Sequence, residues 1–205
     1  MEQNKKMAFS PSADRNKEPI LNVLNEYIQE NKRLLEIGSG TGQHAIYLAQ
    51  HNKTLQWVTS DVKANHLVIK SYLKENKLGN IHGPETLKIG VDDFPKGSFD
   101  YIFTANTLHI MSWKEAKTLF KLLGKRLRAG SLCFFYGPFN YQGKFTSPSN
   151  DEFDQLLKSK DSKSGIRNYE DILKAMQSSG FKMIKDHEMP ANNRLLVFER
   201  LTHKK

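Results

Sequence analysis

The chain has 205 residues, with 31 Lys and Arg against 22 Asp and Glu, which gives a formal net charge of +9. A chain of this length predicts a single domain over residues 1–205 and can bury roughly 70% of its unfolded surface. It has no apolar run as long as a membrane span, and its first six residues lack the apolar core of a signal peptide. The single cysteine, Cys133, cannot form an internal disulfide. We therefore expect a cytoplasmic protein that does not bind membranes.

Strand-like and helix-like patterns alternate along the chain, which is typical of an open α/β sheet. The predicted strands are residues 33–37, 55–60, 86–91, 99–105, 131–136, 181–184 and 195–199, and the predicted helices are 17–28, 43–51, 64–78, 113–127 and 168–179. Ser112 and Glu115 form a capping box at the start of one helix. Residues 1–16 form an N-terminal arm, and residues 138–167 form the longest insertion.

The most informative segment joins the first strand to the next helix and reads Glu36-Ile37-Gly38-Ser39-Gly40-Thr41-Gly42. Its glycines permit a sharp turn and let a ligand approach the backbone without interference from a Cβ atom. The second strand ends at Asp61, 25 residues after Glu36, where a carboxylate can accept hydrogen bonds from both hydroxyls of a ribose. This pattern predicts a site for a nucleoside cofactor and fits both NAD and S-adenosylmethionine.

Two features of the same segment favour S-adenosylmethionine. Gln43 breaks the Gly-x-Gly-x-x-Gly spacing of dinucleotide sites. Glu36 lies two residues before the first glycine, where it would repel a pyrophosphate. S-adenosylmethionine has no phosphate and carries an ammonium and a sulfonium, so an acid beside the loop suits it.

Further polar residues follow the later strands, at the sheet edge where open α/β sheets bind ligands. Asp92, or its neighbour Asp93, is placed to accept from an adenine amino group, unless it only caps the loop before Pro95. Asn106 follows the fourth predicted strand, where an amide can contact both the cofactor and the substrate. His109 and Tyr136 lie near two further strand ends.

The excess of positive charge raises the question of a nucleic-acid partner. Five basic residues cluster along one predicted helix: Lys117, Lys121, Lys125, Arg126 and Arg128. No recognisable nucleic-acid-binding module accompanies them, so a solvated helix face is favoured, although nucleic acid is not excluded. The histidines and the cysteine form no metal-binding pattern, and we predict no metal.

The chain resembles the class I S-adenosylmethionine-dependent methyltransferases over about residues 17–200. Four segments also resemble a small methyltransferase-like family catalogued as a domain of unknown function. They are Phe9-Ser10-Pro11-Ser12-Ala13-Asp14-Arg15-Asn16-Lys17-Glu18-Pro19-Ile20, Ala105-Asn106-Thr107-Leu108-His109, Tyr136-Gly137-Pro138-Phe139 and Met189-Pro190-Ala191-Asn192-Asn193. The substrate of that family is not established.

The class I resemblance implies a Rossmann-like, seven-stranded, mostly parallel sheet with an antiparallel last strand. It implies that Glu36, Gly38, Gly40 and Gly42 line the methionine moiety of the cofactor, that Asp61 holds the ribose and that Asp92 faces adenine. Position 106 opens Asn-Thr-Leu-His, not the Asn/Asp-Pro-Pro-Tyr/Phe pattern of enzymes that methylate base or amide nitrogens. This departure argues against those substrates and favours small molecules.

Methyl transfer is an in-line displacement at an activated carbon, so positioning can supply much of the rate, within roughly 7–11 kcal/mol. His109 is the best candidate for a general base, because an unperturbed imidazole titrates near neutral pH; the alternative is a histidine satisfied by packing. Tyr136 is a second candidate, which stacks on or hydrogen-bonds the substrate, or simply closes a buried strand.

Two flanking segments complete the predicted site. We expect the arm to fold over the cofactor, with Asn16 in contact and Arg15 paired to its carboxylate, although a helix cap with a surface arginine is the alternative. We expect the 138–167 insertion to act as a lid over the acceptor. Asn192, Asn193 and Phe139 are the predicted substrate contacts, unless Asn192-Asn193 is only a turn.

Three classes of function remain open from the sequence. The favoured class is an S-adenosylmethionine-dependent methyltransferase that acts on a small molecule. The alternatives are a methyltransferase that acts on RNA or protein, and a module that binds the cofactor without catalysis.

Overall fold

The computed structural model describes residues 8–202, and residues 1–7 of the predicted arm lie outside the described part of the chain. The helices are α1 (Pro11–Leu24), α2 (Gln43–His51), α3 (His66–Asn76), α4 (Trp113–Arg126), α5 (Pro148–Lys160) and α6 (Tyr169–Ser178), and a short 3-10 turn (Lys63–Asn65) precedes α3. The strands are β1 (Arg33–Ile37), β2 (Gln56–Asp61), β3 (Ile81–Thr86), β4 (Tyr101–Ala105), β5 (Leu132–Gly137), β6 (Phe139–Asn140), β7 (Arg167–Asn168), β8 (Phe181–Met189) and β9 (Asn193–Arg200).

Seven strands form one sheet in the order β3-β2-β1-β4-β5-β9-β8. β1 to β5 pair in parallel, whereas β9 runs antiparallel between β5 and β8. The prediction of a mostly parallel seven-stranded sheet with an antiparallel last strand is therefore confirmed. Among residues 8–202, no helix is long and apolar enough to cross a membrane.

Alternate side chains of each central strand pack into two separate cores, because neighbouring residues of a strand point to opposite faces. Leu34 and Phe134 pack with the apolar residues of α1 and α2 on one face. Leu35 and Phe135 pack with those of α4 and α6 on the other. The cavity described below therefore opens at the edge of a sheet that is covered on both sides.

The first helix begins earlier than the sequence pattern predicts. Ser10 is its N-cap and accepts a hydrogen bond from the Ala13 amide at 3.3 Å, and Pro11 occupies the first turn, where its fixed φ suits a helix. The prediction of an arm up to residue 16 is therefore wrong for residues 11–16. Arg15 and Asn16 are fixed on a helix.

The third strand also differs from the prediction. It spans Ile81–Thr86, whereas the sequence predicts residues 86–91. Gly83 and Pro84 disfavour a strand in the sequence, but β3 is an edge strand, where proline is tolerated. Beyond it the chain turns, because the Asp92 amide donates to the Lys88 carbonyl at 3.0 Å.

Candidate functional site

A cavity of about 1290 Å³ lies at the carboxyl ends of β1, β2, β4 and β5. This volume exceeds the roughly 300–1,000 Å³ of most single-ligand sites. Its wall is formed by the glycine loop, the start of α1, the segments after β2, β3 and β4, part of the 138–167 insertion and the β8–β9 turn. The arrangement has room for two ligands side by side.

The glycine loop is held against the end of β2. The Gly38 and Ser39 amides both donate to the Ser60 carbonyl, at 2.9 and 3.0 Å, and the Gly40 amide donates to the Asp61 carboxylate at 2.7 Å. Gly38 has a φ of +76°, and a Cβ atom there would lie 2.6 Å from Thr107 Oγ1. Glycine is therefore required both by the backbone angle and by the close approach of the β4 end.

Asp61 is buried yet lines the cavity. Besides the Gly40 amide, its carboxylate accepts from the Val62 amide at 2.7 Å and from Asn65 Nδ2 at 2.9 Å. A carboxylate offers about four acceptor positions, so these bonds leave capacity for a ligand hydroxyl. They also hold the carboxylate in one orientation.

Glu36 does not face the cavity. Its side chain is 1% exposed and accepts hydrogen bonds from Ser39 Oγ at 2.9 Å and from Trp57 Nε1 at 3.1 Å. Burial raises the pKa of Glu36 to about 7, although these two bonds oppose the shift. The expectation that Glu36 lines the methionine moiety is therefore corrected: it supports the loop from beneath.

Two further predicted cofactor contacts also lie outside the cavity wall. Gly42 is the N-cap of α2, with a φ of +84°, and does not line the cavity. Asp92 accepts from the Lys88 amide at 2.7 Å and closes a turn. Because the third strand ends at Thr86, the cavity wall is formed there by residues 87–89 instead.

A further part of the cavity wall is formed around Asn106 and His109. Asn106 has a φ of +57°, and both residues line the cavity. Phe153 of α5 makes an edge-to-face contact with the His109 ring at 5.1 Å between centroids. Asn150 and Asn193 also contribute to the wall, so the insertion forms one side of this end.

Two predicted substrate contacts do not reach the cavity. Asn192 lies in the β8–β9 turn with a φ of +56°, and its carbonyl accepts from Asn150 Nδ2 at 3.3 Å. Phe139 is 2% exposed and packs in the core with α4 and α6. Both predictions are therefore corrected. Asn192 belongs to the turn between β8 and β9, and Phe139 is a core residue.

Residues 164–167 bind the backbone that carries His109. Ser164 Oγ donates to the Ile110 carbonyl at 2.8 Å, and the Gly165 amide donates to the His109 carbonyl at 2.8 Å. Arg167 donates to the Leu108 carbonyl at 3.2 Å and also to the Met111 carbonyl. Four consecutive carbonyls are thus engaged. We refer to residues 164–167 as the clamp.

The clamp is itself anchored to α5, because the buried Asp154 carboxylate accepts from the Ile166 amide at 2.7 Å. The insertion is therefore a fixed wall in this structure and is tied to the loop that carries His109. A closing motion of α5 would move this loop as well.

His109 is not in the state that its sequence position predicts. Burial, together with the positive charge of Arg167, lowers the pKa of His109 to about 4. The ring is therefore uncharged at neutral pH, and its basicity is well below the level that favours general-base catalysis. Without a bound ligand, it is better suited to hydrogen bonding than to strong proton abstraction.

His44 is a cavity residue that the sequence patterns do not identify. It lies in the first turn of α2, is buried, and contacts Asn16 of α1 through a 2.6 Å hydrogen bond. Asn16, Arg15 and Tyr136 line the same part of the cavity. The signal available in the sequence was its place just after the glycine loop, but only the packing of α1 against α2 brings it to Asn16.

The structure contains no cluster of three or more potential metal-binding side chains within residues 8–202. The basic residues of α4 lie on a helix whose apolar side packs in the core. Neither feature adds a metal or nucleic-acid site to the cavity.

The family model described as Protein of unknown function (DUF938) matches residues 7–200. The chain is also similar in structure to the S-adenosylmethionine-dependent methyltransferase SibL in its apo form, with a TM-score of 0.77 and 18% identity over 93% of this chain and 56% of that one. It resembles an O-methyltransferase family 2 protein from Planctomyces limnophilus in complex with apigenin, with a TM-score of 0.75 and 15% identity over 94% and 62% of the two chains.

Human N-acetylserotonin methyltransferase in complex with SAM is similarly related, with a TM-score of 0.76 and 13% identity over 91% of this chain and 52% of that one. The chain therefore spans little more than half the length of these structural relatives. At such identities the likeness establishes a shared fold.

The buried Glu36 predicts a pH-dependent stability. A native pKa of about 7, against an ordinary value of 4.5, means that the unfolded chain loses this proton first as the pH rises. The contribution of Glu36 to the free energy of unfolding is complete below about pH 4.5. It is lost as the pH rises to about 7, which lowers the free energy of unfolding by an amount on the order of 3 kcal/mol. Glu36→Gln should flatten this part of the pH dependence of the unfolding free energy, measured with urea. The exposed Glu85→Gln is the matched control, and equal slopes in both variants would contradict the prediction.

The clamp predicts an effect on the His109 ring. Arg167→Gln removes the positive charge, so the pKa of His109 should rise above its wild-type value of about 4. Arg167→Lys keeps the charge and should shift the pKa less. Titration of the imidazole signals by NMR would measure both. An unchanged His109 pKa in a folded Arg167→Gln protein would show that the charge of Arg167 does not affect the His109 ring.

Proposed function

We propose that this chain, which belongs to the family described as Protein of unknown function (DUF938), is an S-adenosylmethionine-dependent methyltransferase that acts on a small molecule. The observation that carries the proposal is the hydrogen bond between the Gly40 amide and Asp61. It joins the glycine loop to the carboxylate after β2 at the edge of a parallel sheet, where nucleoside cofactors bind.

The cavity offers a place for each part of the cofactor. Asp61 has capacity left to accept from a ribose hydroxyl, and Leu87 and Ile89, which pack in the core, offer an apolar wall for adenine. Gly40, where a Cβ atom would meet nothing within 4 Å, leaves the backbone open to the methionine moiety, and Gly38 lines the cavity beside it. Arg15 lines the cavity from α1, and a guanidinium can pair with the cofactor carboxylate.

The position of Glu36 changes the argument against a dinucleotide. Its carboxyl group is covered by Ser39 and Trp57, so it does not repel a pyrophosphate at short range. The loop spacing still departs from the dinucleotide pattern at Gln43, and Gln43 accepts from the Ser10 amide at 2.6 Å, which places the start of α1 beside the loop. The start of α1 thus fills space beside the N-terminus of α2, which is where a dinucleotide site would bind the pyrophosphate.

The wall at the acceptor end supports a small molecule as substrate. Phe153 contacts the His109 ring and lines the cavity together with Asn150 and Asn193, and the clamp ties α5 to the loop of His109. A phenyl ring and two amides suit a partly aromatic, polar acceptor. An RNA or protein substrate would have to enter a cavity that the insertion narrows.

The residues of this chain contribute orientation more than acid–base chemistry. S-adenosylmethionine supplies a methyl group on a positively charged sulfur, which leaves the protein to align the acceptor and exclude water. His109 is uncharged and lies beside the acceptor space, so it can hold the acceptor by a hydrogen bond. No strong base is needed for an acceptor that is already ionised, or for one that is nucleophilic in its neutral form.

The proposal predicts tight binding of adenosyl ligands that depends on Asp61. Calorimetric titration should show binding of S-adenosylmethionine and S-adenosylhomocysteine but not of NADH. Asp61→Asn should weaken both adenosyl ligands by about tenfold or more, because it removes a charge-assisted hydrogen bond to ribose. Asp93→Asn makes the same change at an exposed position outside the cavity wall and should leave binding intact.

The other outcomes separate the remaining functions. Absence of adenosyl binding by folded protein would overturn the proposal, and tight NADH binding would favour an oxidoreductase. Binding without methyl transfer to any metabolite in a cell extract would favour a non-catalytic module. Salt-sensitive RNA binding would favour an RNA substrate.

A further inference from the structure

The Asp61 carboxylate has less free acceptor capacity than its place in the sequence predicts. Its Oδ1 atom accepts hydrogen bonds from the Val62 amide at 2.7 Å and from Asn65 Nδ2 at 2.9 Å. Its Oδ2 atom accepts from the Gly40 amide at 2.7 Å. Each carboxylate oxygen offers about two acceptor positions, so Oδ1 is filled and a single position remains on Oδ2. The carboxylate can therefore receive one ligand hydroxyl, whereas the sequence predicts that it receives both hydroxyls of a ribose.

The second hydroxyl of a ribose needs another acceptor close to this carboxylate. The backbone carbonyl of Asp61 is already engaged, because it accepts from the Leu87 amide at 3.0 Å and lies 3.1 Å from His66 Nε2. The next source of an acceptor is a neighbouring side chain that lines the cavity. Asn65 lines the cavity and contacts Asp61 directly.

The hydrogen bond to Asp61 determines which way the Asn65 amide faces. An ionised carboxylate only accepts, so the amide nitrogen of Asn65 points at Asp61 and the amide oxygen points away from it. No hydrogen bond found within residues 8–202 reaches this oxygen. Because Asn65 is half-buried in the cavity wall, its oxygen is a free acceptor beside the carboxylate.

The backbone around Asn65 holds the side chain in this place. The Asn65 amide donates to the Val62 carbonyl at 3.0 Å, and the next residue, His66, is buried against the Asp61 carbonyl. These bonds tie the start of α3 to the end of β2. The two acceptors are thus positioned before a ligand binds, which reduces the entropy lost on binding.

We propose that the two ribose hydroxyls of the cofactor are received by different side chains, one by Asp61 Oδ2 and the other by the amide oxygen of Asn65. The inference rests on the proposed function, because it assumes an adenosyl cofactor. It makes Asn65 a cofactor-binding residue, and it makes the site selective for a ribose that carries both hydroxyls.

The first test compares S-adenosylhomocysteine with its 2′-deoxy and 3′-deoxy analogues by calorimetry on the wild-type protein. The analogue that lacks the hydroxyl received by Asp61 should lose about tenfold or more in affinity, because that acceptor is charged. The other analogue should lose about two- to tenfold, because an amide oxygen is neutral. Equal losses of more than tenfold, or a loss for fewer than both analogues, would overturn the proposal.

The variant Asn65→Leu tests which residue receives the second hydroxyl. Leucine is close to asparagine in size, so it should cover Asp61 Oδ1 and keep that atom from replacing the lost acceptor. The variant should bind S-adenosylhomocysteine and the less weakened analogue equally, whereas the loss for the other analogue should persist. Asn76→Leu is the matched control, because Asn76 is exposed at the other end of α3, lies outside the cavity wall and also donates one bond, to the Tyr72 carbonyl at 2.8 Å. It should leave both losses as in the wild type.

Two results with Asn65→Leu would contradict the assignment. An equal weakening of all three ligands would mean that Asn65 only orients Asp61. Persistence of both losses would mean that Asp61 accepts both hydroxyls.

A spectroscopic measurement on the wild-type protein does not depend on the folding of a variant. The NMR signal of the Asn65 side-chain carbonyl carbon should shift when S-adenosylhomocysteine binds, and it should shift less with the analogue that lacks the hydroxyl received by Asn65. Equal shifts with all three ligands would overturn the inference.

The same experiments separate failure of this inference from failure of the proposed function. If the wild type binds neither S-adenosylmethionine nor S-adenosylhomocysteine, the proposed function fails and the ribose assignment fails with it. If it binds both and the deoxy analogues or Asn65→Leu behave otherwise than expected, the inference alone fails.

Discussion

The attachment of the glycine loop to the end of β2 is the constraint on which the rest of the site depends. The Ser60 carbonyl receives two loop amides and the Asp61 carboxylate receives a third. These bonds place an open backbone and an oriented carboxylate at the same sheet edge. Thr107, from the end of β4, then approaches Gly38 too closely for any side chain. Three strand ends are thereby fixed relative to one another before any ligand arrives.

The wall of the cavity draws on both faces of the sheet. Tyr136 packs with the core of α1 and α2, whereas Leu87 and Ile89 pack with the core of α4 and α6. The two cores are separate because successive strand residues point to opposite faces.

Burial shifts several ionisable groups of this site toward their uncharged forms. The pKa of Glu36 is raised to about 7, and the pKa values of His44 and His109 are lowered to about 4. Each is a case of desolvation disfavouring the charged form. The charged residues that line the cavity are Arg15, Asp61, Lys88, Glu115 and Asp161.

The sequence by itself determined the class of fold, β1 and α2 to the residue, the capping box of α4, and the glycine loop with Asp61, because these depend on local patterns of two or 3.6 residues and on glycine. It misplaced the start of α1 and the third strand, where a cap and an edge position override local preference. Only the tertiary structure decided that Glu36 and Phe139 turn away from the cavity and that His44 meets Asn16. Those outcomes depend on which side chains cover one another, and contacts between residues 28 positions apart leave no trace in a local pattern.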